Sequence, residues 1–352
     1  MAIIDKPSDF FNTVLYTGNA TQRTIDVGFK PDFVWGKLRS TTGNHWLWDI
    51  MRGVNYYLKS NATDGNNTGG SDDLNGFVSN GFTVGNGSRM NTNNGTMVSW
   101  SWKAGTSFTN DASGTGIGTL DSTANVNTDV GISILKWTGN DANATVAHGL
   151  GAVPAVFIVK NLANGSTGWY MYHKSLGNTK HILLNSSAVL VDDINWNDTS
   201  PTSTVISLGG QTGSNGPSNS MEAYCFAEKQ NYSKFSSYIG NGNANGPFIY
   251  TGFKPAFILI KGAISGAGNA GQNWELYDNK RLGYNVDNNN LSPNTNGAES
   301  TGDRLDIVSN GFKIRVNSDG VNDNNSTYIY MAFAENPFVT STGNGSIPTT
   351  AR

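Results

Sequence analysis

The ten residues GFKPDFVWGK (28 to 37) return as GFKPAFILIK (252 to 261), more than 200 positions later. Self-similarity at long range is the signature of tandem copies of one structural unit, so the chain must fold as repeats of something. Three copies can be traced. Each opens with a Tyr- or Trp-bearing strand that runs into a Gly-Asn turn: VLYTGN (14 to 19), ILKWTGN (134 to 140) and SSYIGNGN (236 to 243). The quoted phrase follows, with GLGAVPAVFIVK (149 to 160) as its middle version.

Within that phrase Gly and Pro set a turn, and the apolar run behind them closes on Lys37, Lys160 or Lys261, as expected of a largely buried strand that ends at the surface. The next strand reads HWLWD (45 to 49), WYMYH (169 to 173) and WELYD (274 to 278), alternating at period two. SNGFTV (79 to 84) and SNGFKI (309 to 314) mark copies one and three, and TVISLG (204 to 209) takes their place in copy two. Closing strands follow at MVSWSWKAG, EAYCFAEKQ and YIYMAFAENP. Six or seven strands per copy fit a β-sandwich.

The expected fold is therefore all-β: three tandem sandwich domains of jelly-roll or lectin-like type. Residues 1–110 form the first, 111–232 a linker strand plus the second, 233–338 the third, and 339–352 a polar tail. The stretch 106–131 reads as a polar boundary, while NYSKFS (231 to 236) leaves little slack between copies two and three. Pro31, Pro154 and Pro255 are expected at equivalent strand entries, where no ladder donor is needed.

Composition narrows the function. With 43 glycines the chain turns often, and aromatic residues at 11% supply strand material. Only 14% of residues are charged and the net charge is -3, which carries no electrostatic footprint for nucleic acid. No apolar run reaches membrane-spanning length, and the start lacks a basic region followed by an apolar stretch. Synthesis in a reducing cytoplasm is the expectation, with the lone Cys225 buried and inert.

Chemistry-bearing motifs are scarce. His45, His148, His173 and His181 are too dispersed for a zinc motif, and no GxSxG elbow occurs. Asp72/Asp73, Asp192/Asp193 and Glu299/Asp303/Asp306 are the acid groupings a glycosidase reading would use, but spacing does not place any two on one substrate. NSDGVNDNNST (317 to 327) has the oxygen-rich letters of a calcium loop without a closing Glu. No metal, cofactor or catalytic residue is assigned. Trp46, Trp48, Trp169, Trp196 and Trp274 are aromatic candidates for stacking on sugar. Trp196, set among Asn and Asp, is the preferred ligand contact, with interface packing as its alternative. The loops at 61–73, 195–201, 209–220 and 287–303 are the longest polar connections and the expected carriers of binding residues.

The phrases GFKPDFVWGK, IMRGVNYYLKSN, SNGFTVG, SWSWKAG, YIGNGNANGPFIYTGFKPAFILIK, YMAFAENPF and the ending TTAR resemble a widespread family of virion structural proteins of tailed bacteriophages, many of them marine and cyanophage-type. The similarity runs over nearly the whole chain. It implies a non-enzymatic virion protein, made in the host cytoplasm and placed in a tail fibre or other exposed appendage. The expected partners are other virion proteins, further copies of itself in a homo-oligomer with a trimer favoured because several weak sites gain avidity together, and a host surface glycan; nucleic acid and membrane insertion are not among them. Many tail fibres carry a long N-terminal attachment region, whereas here the first copy begins almost at once, so a capsid decoration or head-fibre role is the second expectation. A glycan depolymerase is the third.

Overall fold

The computed structural model describes residues 4–70, 72–264, 271–281, 285 and 289–337. The tail at 339–352 lies outside them. The first section runs through β1 (Phe11–Thr17), β2 (Arg23–Asp26), β3 (Phe33–Leu38), β4 (His45–Asp49), β5 (Tyr56–Lys59), β6 (Asn67–Thr68), β7 (Leu74–Val78), β8 (Gly81–Val84) and β9 (Thr96–Trp102). Next come β10 (Thr106–Asn110), β11 (Ser122–Asn127), β12 (Ile132–Thr138), β13 (Ala144–Ala147), β14 (Val156–Asn161), β15 (Trp169–His173), β16 (Lys180–Leu183), β17 (Val191–Asp192), β18 (Val205–Leu208) and β19 (Ser220–Phe226). The third section holds β20 (Ser233–Ile239), β21 (Phe248–Tyr250), β22 (Phe253–Ile264), β23 (Glu275–Asp278), β24 (Leu305–Val308), β25 (Gly311–Ile314) and β26 (Thr327–Pro337).

The chain is all-β and its sheets are antiparallel. One strand order recurs: β1-β9-β3-β4-β5-β6, then β12-β19-β14-β15-β16-β17, then β20-β26-β22-β23. A small sheet accompanies each, β2-β8-β7, β13-β18 and β21-β25-β24. Each small sheet covers one face of its large sheet. Ile25, Leu74, Phe82 and Val84 pack on Val34 and Trp48; Val146, Ile206 and Leu208 on Phe157 and Val159; Ile249, Ile307, Phe312 and Ile314 on Ile258 and Ile260. Period-two alternation sends every second side chain into these clusters.

The other face of every large sheet turns to a shared centre. Phe11, Trp35, Trp100 and Trp102 meet Ile134, Ile158, Tyr224 and Phe226 from the second section, and Phe235, Phe257, Leu259 and Phe333 from the third, in one continuous cluster. Phe333 has ring neighbours in all three: Trp102 at 5.6 Å, Phe226 at 5.7 Å and Phe257 at 5.9 Å between centroids. The cluster encloses a void of only about 20 Å3, as expected of a close-packed interior.

Register confirms the proline alignment. Phe33, Val156 and Phe257, each two residues after its proline, sit opposite Trp102, Phe226 and Phe333. In the third section the strand already runs through Pro255, with register shifts on either side of it, because a bulge accommodates a residue that has no N–H to donate.

The expected polar boundary at 106–131 is corrected. Residues 106–110 and 122–127 form the β10–β11 hairpin, which pairs with β12 and extends the second large sheet to eight strands. The short connection at 231–236 leads straight into β20, where Glu228 accepts the backbone N–H of Phe235 at 2.8 Å.

A single asparagine explains the repeated Gly-Asn turns. Asn91, Asn215 and Asn322 are fully buried at matching places. Asn91 Oδ1 accepts from the Asn19 N–H, Asn322 Oδ1 from the Asn241 N–H, and Asn215 Nδ2 donates to Asn140 Oδ1. The preceding Gly18, Gly139 and Gly240 press against the backbone carbonyls of Thr92, Gly216 and Asp323, where a Cβ would collide. Close backbone approach is what requires glycine there.

Candidate functional site

Among the described residues, polar chemistry gathers at the seams where sections meet and in an open groove. The seams repeat in cyclic order. Asn66 N donates to Leu162 O, Leu190 N to Ala263 O, and Glu299 N to Arg39 O, so first meets second, second meets third, and third meets first. Trp169 Nε1 reaches back to Lys59 O at 3.0 Å, and Trp274 Nε1 to Leu183 O at 3.0 Å. His45 holds the corresponding place in β4, facing the Ser292 backbone. Each seam joins two different surfaces, and contacts of that kind generate a ring when the rotation closes.

The lysines that end the repeated phrase are buried in these seams. Lys160 Nζ donates to Thr63 O (2.7 Å) and Thr167 O (2.6 Å), Lys261 Nζ to Ser187 O (2.6 Å) and Gln272 O, and Lys37 Nζ to Leu38 O (2.6 Å). Burial lowers all three ammonium groups to about 8, since a low-dielectric setting disfavours the charged form. Carbonyl dipoles compensate only in part.

At the first seam an ionic group is sealed from solvent. Asp49 Oδ2 is 2.5 Å from Arg52 Nη2, Arg52 Nε is 3.1 Å from Glu222 Oε2, and Tyr224 donates its hydroxyl to Asp49 Oδ2 at 2.8 Å. Two carboxylates share one guanidinium. Burial and the neighbouring Asp49 push Glu222 well above the usual carboxylate range. Burial also acts on Asp49, but Arg52 and the added hydrogen bonds outweigh it and hold this carboxyl low. Asp49 keeps the charge and Glu222 the proton. With no opening to a substrate, the group serves to join two sections.

The open groove is made by the β10–β11 hairpin, which has no counterpart among the described residues of the other sections. Its connecting loop is pinned to β13 by Thr119 N donating to Thr145 O, and a helical turn at Ala112–Thr115 is capped by Asp111. Asp121 Oδ1 accepts the Ala112 N–H at 2.8 Å. The result is a concavity of about 440 Å3 lined by Thr109, Asp111, Asp121, Thr123, Lys136 and Thr138, within the size range of small-molecule sites. Its hydroxyls, carboxylates and ammonium suit a hydroxylated polar ligand. The Ser113 hydroxyl and the Gly114 N–H hold the Asp111 carboxyl low, opposite to what a general acid at neutral pH requires.

Trp196, the preferred sequence candidate, is not at this groove. It is 0% exposed, donates Nε1 to Lys180 O at 2.9 Å and stands edge-on to Phe157 at 4.7 Å, inside the second section's own core. No ring face remains for a sugar, and Trp196 bridges neither sections nor subunits. Trp48, Trp169 and Trp274 are likewise buried, and Trp46 is covered by Arg89 at 5.3 Å. The loops at 61–73 and 287–303 build seams: Asn66 meets the second section, and Glu299 forms a two-point ion pair with Arg39 at 2.8 and 2.9 Å.

The remaining candidates have local duties. Asn322, in the calcium-like stretch, donates to Val316 O and Asn243 O, so its letters serve a turn. His148 and His173 are lowered by burial to about 4. Among the described residues no three His, Cys, Asp or Glu side chains gather where they could hold a metal ion. Sequence reading missed the groove because 106–131 is rich in turn residues. Alternation in TSFTN and STANVN was the available signal.

The family model described as Domain of unknown function (DUF7483) matches residues 6–337, and the chain belongs to that family. Neither the curated proteins nor the solved structures contain a match.

Proposed function

We propose that the three sections are tandem β-sandwich copies of one ancestral unit, and that the chain is a non-enzymatic structural protein of a tailed-phage virion, part of a tail fibre or other exposed appendage. In this reading the closed ring is a rigid platform and the hairpin groove is its binding element, with a host surface glycan as ligand. The observation that carries it is asymmetry on a repeated scaffold. Three sections share seams and core, while among the described residues the second bears an added hairpin and with it an open polar groove. Function is expected in additions that a rigid scaffold positions. The virion context rests on the resemblance of the recurring phrases to tailed-phage virion proteins. Several chains on one particle, a homotrimer in the simplest case, would give weak grooves avidity.

Antibody labelling of purified virions tests the placement: label on tail appendages is expected, label on the capsid assigns the decoration role, and absence from virions overturns the reading. The groove is tested by binding of the purified chain to host polysaccharide. Asp111→Ala with Asp121→Ala is expected to weaken binding about tenfold, equivalent to roughly 1.4 kcal/mol. Release of shorter glycans from the polysaccharide would instead establish an enzyme.

A further inference from the structure

The repeat provides its own control for one position on the first strand. Thr13 lies opposite Trp100, Ile134 opposite Tyr224, and Phe235 opposite Met331, the same place in each large sheet. Ile134 and Phe235 are fully buried and fill their seams. Thr13 is only 3% exposed, yet its Oγ1 has no hydrogen-bond partner. It lines a pocket of about 310 Å3 at the seam between the first and third sections. Across that pocket Asn279 Oδ1 is also buried without a partner.

Polar atoms buried without partners cost roughly 1–3 kcal/mol each, so two of them lining one cavity call for an explanation. The charges around them select the chemistry. Glu335 is balanced by Lys254 at 2.9 Å and Lys280 at 3.6 Å. A free cation is opposed by the lysines, and an anion by Glu335 and the Asn279 oxygen. A hydroxyl group meets both needs, since it accepts from Thr13 and donates to Asn279.

We propose that this seam pocket is a second binding site, for a neutral polyhydroxy ligand the size of one monosaccharide ring. Thr13 and Asn279 hold one hydroxyl, and Glu335 with Lys280 holds another. The volume is at the small end of ligand sites, which fits a single ring. Ligand at this place bridges the first and third sections and tightens that seam. The inference is independent of the hairpin groove and of the virion role.

The test uses the full chain with glucose, galactose, mannose, N-acetylglucosamine and glycerol as probes, read by calorimetric titration and by the shift in melting temperature. At least one probe is expected to bind saturably and raise Tm. Thr13→Val and Asn279→Leu should each weaken that binding about tenfold or more, while Asp129→Ala, on an exposed turn that lines neither concavity, leaves it unchanged. Without ligand, Thr13→Val should melt no lower than the natural chain, because the hydroxyl it loses has no partner and the shape is kept. That variant therefore reports on binding in a folded protein. Failure of all five probes to bind overturns the proposal. So does binding that survives both seam substitutions, or that is lost equally in Asp129→Ala.

Discussion

The seam between the first and second sections and the seam between the second and third use the same backbone geometry with opposite chemistry. At the first, Asp49 accepts a hydrogen bond from Tyr224 and an ion pair from Arg52, with Glu222 pressed against the same guanidinium. At the second, His173 stands at the Asp49 position, with Nε2 3.3 Å from Tyr330 O, and Leu176 replaces Arg52. Both acceptors also cap the turn that follows: Asp49 Oδ1 takes the Arg52 N–H, and His173 Nδ1 the Ser175 N–H. The local turn requirement is common to both, so it tolerates a carboxylate or an imidazole. What crosses the seam is free to be ionic or neutral, and the two choices respond differently to mutation and pH.

The largest expected effect is at the ionic seam. Arg52→Met leaves Asp49 and Glu222 buried without their cation and should cost about 3–5 kcal/mol by chemical denaturation. Leu176→Ala, its counterpart, should cost roughly 2–4 kcal/mol through the cavity it leaves. A loss under about 1 kcal/mol for Arg52→Met would show that the guanidinium does not hold the first seam together. Adding Asp49→Leu and Glu222→Leu to Arg52→Met should recover most of the loss, because an apolar replacement removes the stranded Asp49 charge and the buried carboxyl beside it.

Next in size is the response to acid. His173 is lowered from 6.5 to about 4, so below pH 6.5 the unfolded chain binds a proton that the folded chain refuses. Stability therefore falls as pH drops from 6.5 toward 4, by roughly 3 kcal/mol for this group. His148 adds a similar dependence from another place. His173→Asn keeps an acceptor for the Ser175 N–H and should remove one part of the acid slope in Tm, since burial lowers His45, His148 and His181 as well. An unchanged slope would assign the effect elsewhere.

The smallest effect belongs to Glu222, and its sign is reversed. Its folded carboxyl is raised well above the usual range, so above pH 4.5 the folded chain holds a proton that the unfolded chain has lost. Stability then declines as pH rises through that window. Glu222→Gln should change stability by no more than about 1 kcal/mol at pH 5, and should become progressively the more stable form toward neutral pH. A parallel pH profile for the two proteins would mean that Glu222 is ionised in the folded state.

Much of the strand framework was readable because period-two alternation and Gly-Asn or Gly-x-x-Pro turns are local signals. The prolines and the closing strands follow from them, whereas the lysines at the ends of the phrases, expected where a strand reaches the surface, are fully buried in the seams. Trp196 shows the limit. Its neighbours Asn197 and Asp198 adopt positive φ of 49° and 46°, so their polar letters serve a left-handed turn that drives the tryptophan inward. Polarity in sequence was taken for exposure in space. The hairpin at 106–127 was lost for the converse reason: its Thr, Ser and Asn residues pair as strands at a sheet edge, where one face stays wet.

From the chain alone came the all-β class, the recurring phrases and the scarcity of catalytic motifs, because turns and alternation are set by residues within a few positions of one another. The tertiary structure decided how the copies meet. It placed Phe11, Phe226 and Phe333 in one cluster, paired Arg39 with Glu299 across 260 positions, and left Thr13 without a partner where Ile134 and Phe235 have filled their seams. No local pattern encodes such encounters. They depend on which faces remain to be buried once every copy has folded, and a ring of three seams buries them all around one centre.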